Sequence, residues 1–353
     1  MREWIFSESF GKYSIDLGGS NVDCLTLKDI LDNEDINSLV LGYGSEAGMQ
    51  SLRQVIAEKY CRISDESVMV CHGGQEAFTL LVRSLKNTNN GEIIVLGSGW
   101  LQHSSFPIEC GLKVHHLDLD GLSDDSIITL VTESINCRTR AVVAASPDNP
   151  SGWKASNTLI TSISLLAEAY DALLIIDEEY VIDYKNSAAG LASNIAITSS
   201  LSKFYGLPAL RLGWCIARPS LIELCIERKH STTITNSLLC ENIAILALKK
   251  SDEIISKSLT LCRNGREIVS NWVDENIQIH FEMSEEVLPY CWLRLDPHLD
   301  DLVIARKALS RGILVMPGVV FGKPGFLRIA VGRQPKTLKK GLIILGEITD
   351  LHL

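Results

Sequence analysis

Seven short apolar runs, each closed by turn residues, recur through the middle of the chain and alternate with longer amphipathic stretches. The runs are Val68–Cys71, Ile93–Leu96, Val114–Leu117, Ala141–Ala145, Leu173–Asp177, Ile195–Ser199 and Leu212–Ala217. Around and between them lie Gln50–Tyr60, Gln75–Leu85 and Thr158–Tyr170, whose apolar residues recur at helical spacings of three and four. Runs that are apolar almost throughout suit strands covered on both faces. Strand and helix in alternation therefore predict an α/β fold, with a mainly parallel seven-stranded sheet between helices over residues 42–235.

Beyond this unit the pattern changes. Long helical stretches (Asn236–Lys250, Glu253–Glu275) lead into strands at Tyr290–Leu295 and Leu327–Val331 and a last helix over Pro335–Ile348. Segregated helices and few strands predict a smaller α+β domain over residues 236–353. Two units also suit 353 residues, a length at which a single core stops growing. Residues 1–41 carry little regular pattern and are expected to form an arm on the second unit.

Composition narrows the function. A formal net charge of −10 argues against nucleic acid as a partner. No apolar run reaches the roughly 18–20 residues of a membrane helix. The opening MREWIFSESFGKYSIDLGG also lacks the apolar stretch of a signal peptide, so a cytoplasmic location is expected. The ten cysteines are scattered without a CxxC pair, which predicts buried free thiols, and no histidine pattern suggests a metal.

In an open α/β sheet the ligand crevice lies beyond the carboxyl ends of the strands. Asp177 closes the run LLIID, where an acid suits a crevice better than a core. Pro147, Pro150 and Gly152 make SPDNPSG a turn after another strand. After IAITSS, the segment LSKFYGLPALRLGW places Lys203 three residues past Ser200 and eight before Arg211. Taken singly, Asp177 reads equally as a helix cap or turn acid, the proline-glycine segment reads as a tight turn, and a lone loop lysine is more often solvated than catalytic.

As an ordered set the segments carry more. SPDNPSG, IIDEEY and SLSKFYGLPALRLGW, supported by YGSEAG, GGQEA, SGWLQH and FLRIAVG, resemble the cofactor site of the pyridoxal-phosphate-dependent class I/II aminotransferase family (fold type I). The resemblance implies pyridoxal 5'-phosphate as cofactor and an α-amino acid as substrate. Lys203 would form the Schiff base and later shuttle a proton, and Asp177 would pair with the ring nitrogen. Asn149 and Tyr180 would hydrogen-bond the phenolic oxygen, and Trp100 would stack on the ring. Gly74, Gln75, Ser200 and Arg211 would hold the phosphate, with free N–H groups at a helix start. Tyr43 would reach the phosphate of a neighbouring subunit, implying a homodimer with shared sites. Arg328 would clamp the substrate α-carboxylate, with Asn149 beside it.

The opening segment and LSKFYGLPALRLGWCIARP further resemble cyclases of the capreomycidine synthase and enduracididine-forming type, which act on hydroxylated arginine. A guanidinium substrate would want a carboxylate at the mouth, and the arm offers Glu3, Glu8, Asp16 and Asp23, with Thr26 as a polar neighbour. Glu8 and Thr26 are the residues expected to touch the substrate's side chain. Amino transfer to a 2-oxo acid is the alternative reaction. A cofactor-binding regulator is the non-enzymatic reading, disfavoured because the lysine and aspartate are present.

Overall fold

A computed structural model describes the chain except residues 32–35, 37, 87–88, 99, 277, 283, 285 and 351–353. The large sheet is built from β1 (Val68–Cys71), β2 (Glu92–Leu96), β3 (Lys113–Leu117), β4 (Thr139–Ala145), β5 (Leu173–Asp177), β6 (Ile195–Ser200) and β7 (Gly213–Ile216). Its seven strands run in the order β1-β7-β6-β5-β4-β2-β3, and β7 alone is antiparallel to its neighbours. The expected mainly parallel sheet is therefore present.

Side-chain alternation sends each central strand's residues into two cores. Val142, Leu174 and Ile197 enter one face's core, while Val143, Ile175 and Ala196 enter the other. Covered on both sides, these strands carry no polar face, as their apolar sequences require. β3 is the exception: it stands at the sheet edge, and its KVHHL sequence leaves Lys113, His115 and His116 exposed. Charged and polar side chains there discourage pairing with another chain.

The second unit has an antiparallel sheet in which Met316–Pro317, Phe326–Ala330, Tyr290–Leu295 and Ile279–Glu282 follow one another. The helices Ser251–Asp274, Asp301–Ser310 and Pro335–Asp350 enclose its separate apolar core. Gly265 is required where the long helix touches this sheet, since a Cβ there would lie 2.0 Å from the Val331 carbonyl oxygen.

The arm begins on the second unit. Trp4 is buried in its core and donates its indole N–H to the Val315 carbonyl (3.1 Å), and Ile15–Asp16 pairs in parallel with Ile313–Leu314. From residue 22 the arm crosses to the first unit: the Leu25 amide bonds the Gly206 carbonyl (3.0 Å), and Ile30 is buried in the large core. The helix Leu238–Lys249 also sends Ile243, Ala244, Ala247 and Leu248 into that core. Along the helix Ser251–Asp274, Ile254 belongs to the first core and Val269 to the second. We therefore propose drawing the division within this helix and not at residue 235.

The ten cysteines are free; Cys71, Cys215, Cys225, Cys262 and Cys291 are buried. Cys24, Cys61 and Cys137 are exposed, which corrects the expectation of buried thiols for those three. Among the described residues no helix is long and apolar enough to cross a membrane.

Candidate active site

Strands β1, β6, β5, β4 and β2 all point their carboxyl ends toward one edge of the sheet. The segments that follow them converge on a cavity of about 320 Å³. Gly74 and Gln75 reach it from beyond β1, Trp100 from β2, Asn149 from β4, Asp177 and Tyr180 from β5, and Lys203 from β6. Arg211, on the approach to β7, completes the wall, and Asn21 of the arm closes it.

Asp177 is held at both oxygens. The Nε2 of His103, a residue only 2 % exposed, lies 3.1 Å from its Oδ2, and the Glu179 amide donates to Oδ1 (3.1 Å). Held by the imidazole at one oxygen and by the amide at the other, the carboxylate has a fixed orientation. Lys203 Nζ donates to the Ser20 hydroxyl (3.0 Å) and lies 5.7 Å from the Tyr180 ring centre. The arm also pins the turn itself, because the Val22 amide bonds the Lys203 carbonyl (3.4 Å). At Gly206 in the same turn, φ is +63° and a Cβ would lie 2.7 Å from the Asp23 carbonyl oxygen, so the arm can seat only against glycine.

Arg328 is 3 % exposed and lies between Tyr290 and Phe321, whose ring centres are 5.3 and 5.0 Å from its Cζ. Its Nη1 donates to Asn149 Oδ1 (2.7 Å) and its Nη2 to the Gly18 carbonyl (2.6 Å). Its Nε is buried without a hydrogen-bond partner among the described residues. Burial pulls this guanidinium below its ordinary value, and no carboxylate pairs with it directly among the described residues. A buried cation in that condition is stabilised by an anionic ligand.

The helix Gly73–Arg83 starts at the cavity wall. Gly73 has φ +77°, and a Cβ on it would lie 2.6 Å from Arg211 Nη2, so the guanidinium packs on the bare backbone. Ser200, at the end of β6, directs its Oγ to Glu179 Oε2 (2.6 Å). Burial, with the nearby charge of Asp177, raises the Glu179 carboxyl to about 7. The Tyr180 hydroxyl and Gln102 Oε1, both of residues lining the cavity, are buried without partners among the described residues.

Two expected substrate contacts stand elsewhere. Glu8 forms a two-point contact with Arg306 (3.0 and 3.2 Å) and does not line the cavity. Thr26 binds Asp29 through both its amide (2.7 Å) and its hydroxyl (2.6 Å), beside a different, small apolar cavity. Asp16 accepts from the amides of Gly18 and Gly19, and Asp23 from that of Gln334. Both acids also lie near Arg333, at 3.6 and 3.7 Å. These side chains are committed to intramolecular contacts. Tyr43 is 89 % exposed and does not line this cavity.

Lys203 and Asp177 face one cavity whose wall carries Arg211 beside the start of the helix Gly73–Arg83, an arrangement suited to a pyridoxal-phosphate enzyme. The family profile of aminotransferase class I and II matches residues 13–344. The chain belongs to that family, and its cofactor is pyridoxal 5'-phosphate. Capreomycidine synthase of Streptomyces vinaceus is 25 % identical over 377 aligned positions, covering 100 % of this chain and 94 % of the relative. A histidinol-phosphate aminotransferase of Brevibacillus brevis is 28 % identical, covering 90 % of this chain and 84 % of the relative. The crystal structure of the pyridoxal-phosphate-dependent cyclase OrfR superposes with a TM-score of 0.90 at 22 % identity, over 100 % of this chain and 97 % of that one.

The residues present fit the cofactor. Gly74, Gln75, Ser200 and Arg211 can hold a phosphate, and the unpartnered Tyr180 hydroxyl can hydrogen-bond a ring oxygen. The His103–Asp177 pair can face a protonated ring nitrogen. Ser20, Asn21, Gln102, His103 and Glu179 are site residues that the sequence reading misses. His103 has a signal, three residues past Trp100 at a helix start; so does Glu179, which shares the strand direction of Asp177.

Proposed function

We propose that this enzyme converts a hydroxylated, guanidine-bearing α-amino acid into a cyclic product, losing one water and keeping its amino nitrogen. The observation that carries the reading is the end-to-end alignment with a cyclase, arm included. That arm supplies Ser20, Asn21 and the Gly18 carbonyl to the site.

When bound, pyridoxal phosphate supplies an electron sink for charge developing at the substrate Cα. Arg328, steadied by Asn149 and Gly18, holds the α-carboxylate. Lys203 takes the α-proton, with Ser20 positioning its Nζ. Asp177, oriented by His103, would hold a proton on the cofactor's ring nitrogen and so keep the ring able to accept that charge. Trp100 covers the reacting face and excludes water. The bond from the substrate's hydroxyl oxygen to carbon then breaks, and the hydroxyl leaves with a proton as water. A guanidine nitrogen bonds to the resulting unsaturated carbon and loses its proton, and Lys203 returns a proton to the carbon skeleton. Gln102 Oε1 and Asn21 offer polar contacts to the guanidine, a role the arm acids do not fill within this subunit. Orientation of the guanidine-bearing arm of the substrate decides ring closure over amino transfer.

Amino transfer to a 2-oxo acid is the second reading, favoured by the family itself and by the aminotransferase relative. Mass spectrometry of reactions with hydroxyarginine and with arginine distinguishes the two. Cyclisation should give loss of 18 mass units (roughly one water) with the amino nitrogen retained and no need for a 2-oxo acid. Stoichiometric loss of the amino group, with turnover only when a 2-oxo acid is added, would establish the second reading instead.

We also infer a homodimer with shared sites. Tyr43 projects from a segment that exposes Val40 (79 %) and Leu41 (78 %) as well. Three large apolar side chains in four residues suit burial against a second copy.

A further inference from the structure

Glu179 stands where the phosphate-binding groups meet. Its Oε2 accepts from Ser200 Oγ at 2.6 Å. Its Oε1 lies 2.2 Å from where a Cβ on Gly74 would be, so this oxygen rests on bare backbone in the first turn of the helix Gly73–Arg83. Arg211 packs on the preceding glycine and attracts the Glu179 carboxylate electrostatically. A hydroxyl, a helix start and a guanidinium are the components of an anion cradle, and one of the protein's own carboxylates is seated among them.

Local backbone geometry explains the placement. Past the end of β5, successive side chains keep alternating: Glu178 turns away to Ser187 Oγ (2.6 Å) and the Ala188 amide (2.8 Å), while Asp177 and Glu179 both line the cavity.

We propose that Glu179 is a built-in occupant of the phosphate cradle, so that binding of the cofactor's phosphate is coupled to uptake of a proton by this side chain. An ionised carboxylate beside a phosphate dianion is repelled and loses its Ser200 bond to the competitor. A protonated one becomes a donor and turns a rival acceptor into a ligand. The charged groups facing it are Asp177 from the end of β5, Lys203 from the turn after β6 and Arg211 from the approach to β7. The helix Gly73–Arg83 presents uncharged Gly74 and Gln75, and His103 stands behind Asp177. With its carboxyl already at about 7 before an anion arrives, Glu179 can change state near neutrality. The anion raises it further, since a second negative charge disfavours ionisation. Affinity for the phosphate therefore falls as pH rises above about 7.

This coupling belongs to cofactor binding and is the same whether the reaction is cyclisation or amino transfer. The test uses the protein freed of cofactor and pyridoxine 5'-phosphate, whose alcohol cannot bond to Lys203. Its dissociation constant is followed by calorimetry from about pH 6.5 to about pH 8.5 for the native protein and for Glu179→Gln. For the native protein, the constant should rise up to about tenfold per pH unit more steeply than for the variant, about one proton's worth of linkage. At about pH 8.5 the variant should bind at least about tenfold more tightly than the native protein. Calorimetry of the native protein at about pH 8 with inorganic phosphate, which has no ring nitrogen to protonate, in buffers of different ionisation heat should also show about one proton taken up per ligand bound. That measurement stands even if the variant does not fold. Parallel pH curves for the two proteins, or no proton uptake by the native one, would overturn the proposal. Absence of binding in both at every pH would overturn the cradle itself.

Discussion

His103 sets how Asp177 can act. With Oδ2 against the imidazole and Oδ1 on the Glu179 amide, the carboxylate has one orientation. Gly74, Gln75, Ser200 and Arg211, the groups that can hold a phosphate in either state of Glu179, lie on other strand ends. Asp177→Ala should therefore reduce kcat by roughly 10²–10³-fold, the usual cost of removing one preorganised electrostatic group, while cofactor affinity changes much less. Steady-state kinetics and cofactor titration on the same preparation check this; a kcat within about threefold of native would show that another group serves the ring nitrogen. Asp177, Lys203, Asn149 and Arg328 are singled out in the sequence by the ordered set of segments that holds them and not by any one position, and the first three line or adjoin one cavity. Ser20, Gln102 and Glu179 are not, because their roles arise from contacts between segments far apart in sequence. Glu8 and Thr26 mislead for the same reason: their partners, Arg306 and Asp29, are set by folding and by a helix start.

At the scale of elements, periodicity serves where burial is two-sided. The strands Val68–Cys71, Leu173–Asp177 and Tyr290–Leu295 have the bounds their apolar runs predict; some others gain a residue or two at an end, such as Glu92 and Thr139, while Gly213–Ile216 is a residue shorter at each end and Phe326–Ala330 is shifted by one. Two helices capped by a serine side chain begin within a residue or two of expectation: Asn157–Ala169, with Ser156 accepting from the Leu159 amide (3.0 Å), and Leu238–Lys249, capped by Ser237. The helix Gln102–Glu109 escapes periodicity, since it is short, holds Pro107 and buries only His103 and Pro107. Yet this helix delivers Gln102 and His103 to the cavity. Asp124–Ser134 and Pro219–His230 are likewise absent from the expected helices, although the first carries a serine cap and the second a proline at its start. The arm offers little periodicity because its order comes from the Val315 carbonyl, the Ile313–Leu314 strand and the Gly206 turn, all distant partners.

The whole molecule places its site where two cores meet. A small cluster of Val22, Tyr180, Phe204, Cys262, Leu288 and Tyr290 joins arm, large unit and small unit beside the cavity. Arg328 from the small unit binds Asn149 from the large one, so the two proposed contacts for the substrate's carboxylate come from different units. Val40, Leu41 and Tyr43 point outward from this assembly. Light scattering should give a mass near twice 38.9 kDa, and Tyr43→Ala should weaken cofactor retention in a dimer that persists. A fully active monomer would refute the shared site.

The proposed chemistry rests above all on Lys203 as the residue that bonds the cofactor. The most direct measurement is to reduce the cofactor-loaded enzyme with borohydride, digest it and locate the pyridoxyl-bearing peptide by mass spectrometry. The label should fall on Lys203, within SLSKFYGLPALR, and be missing from that position in Lys203→Ala. A label carried by a different lysine in the native enzyme would contradict the assignment.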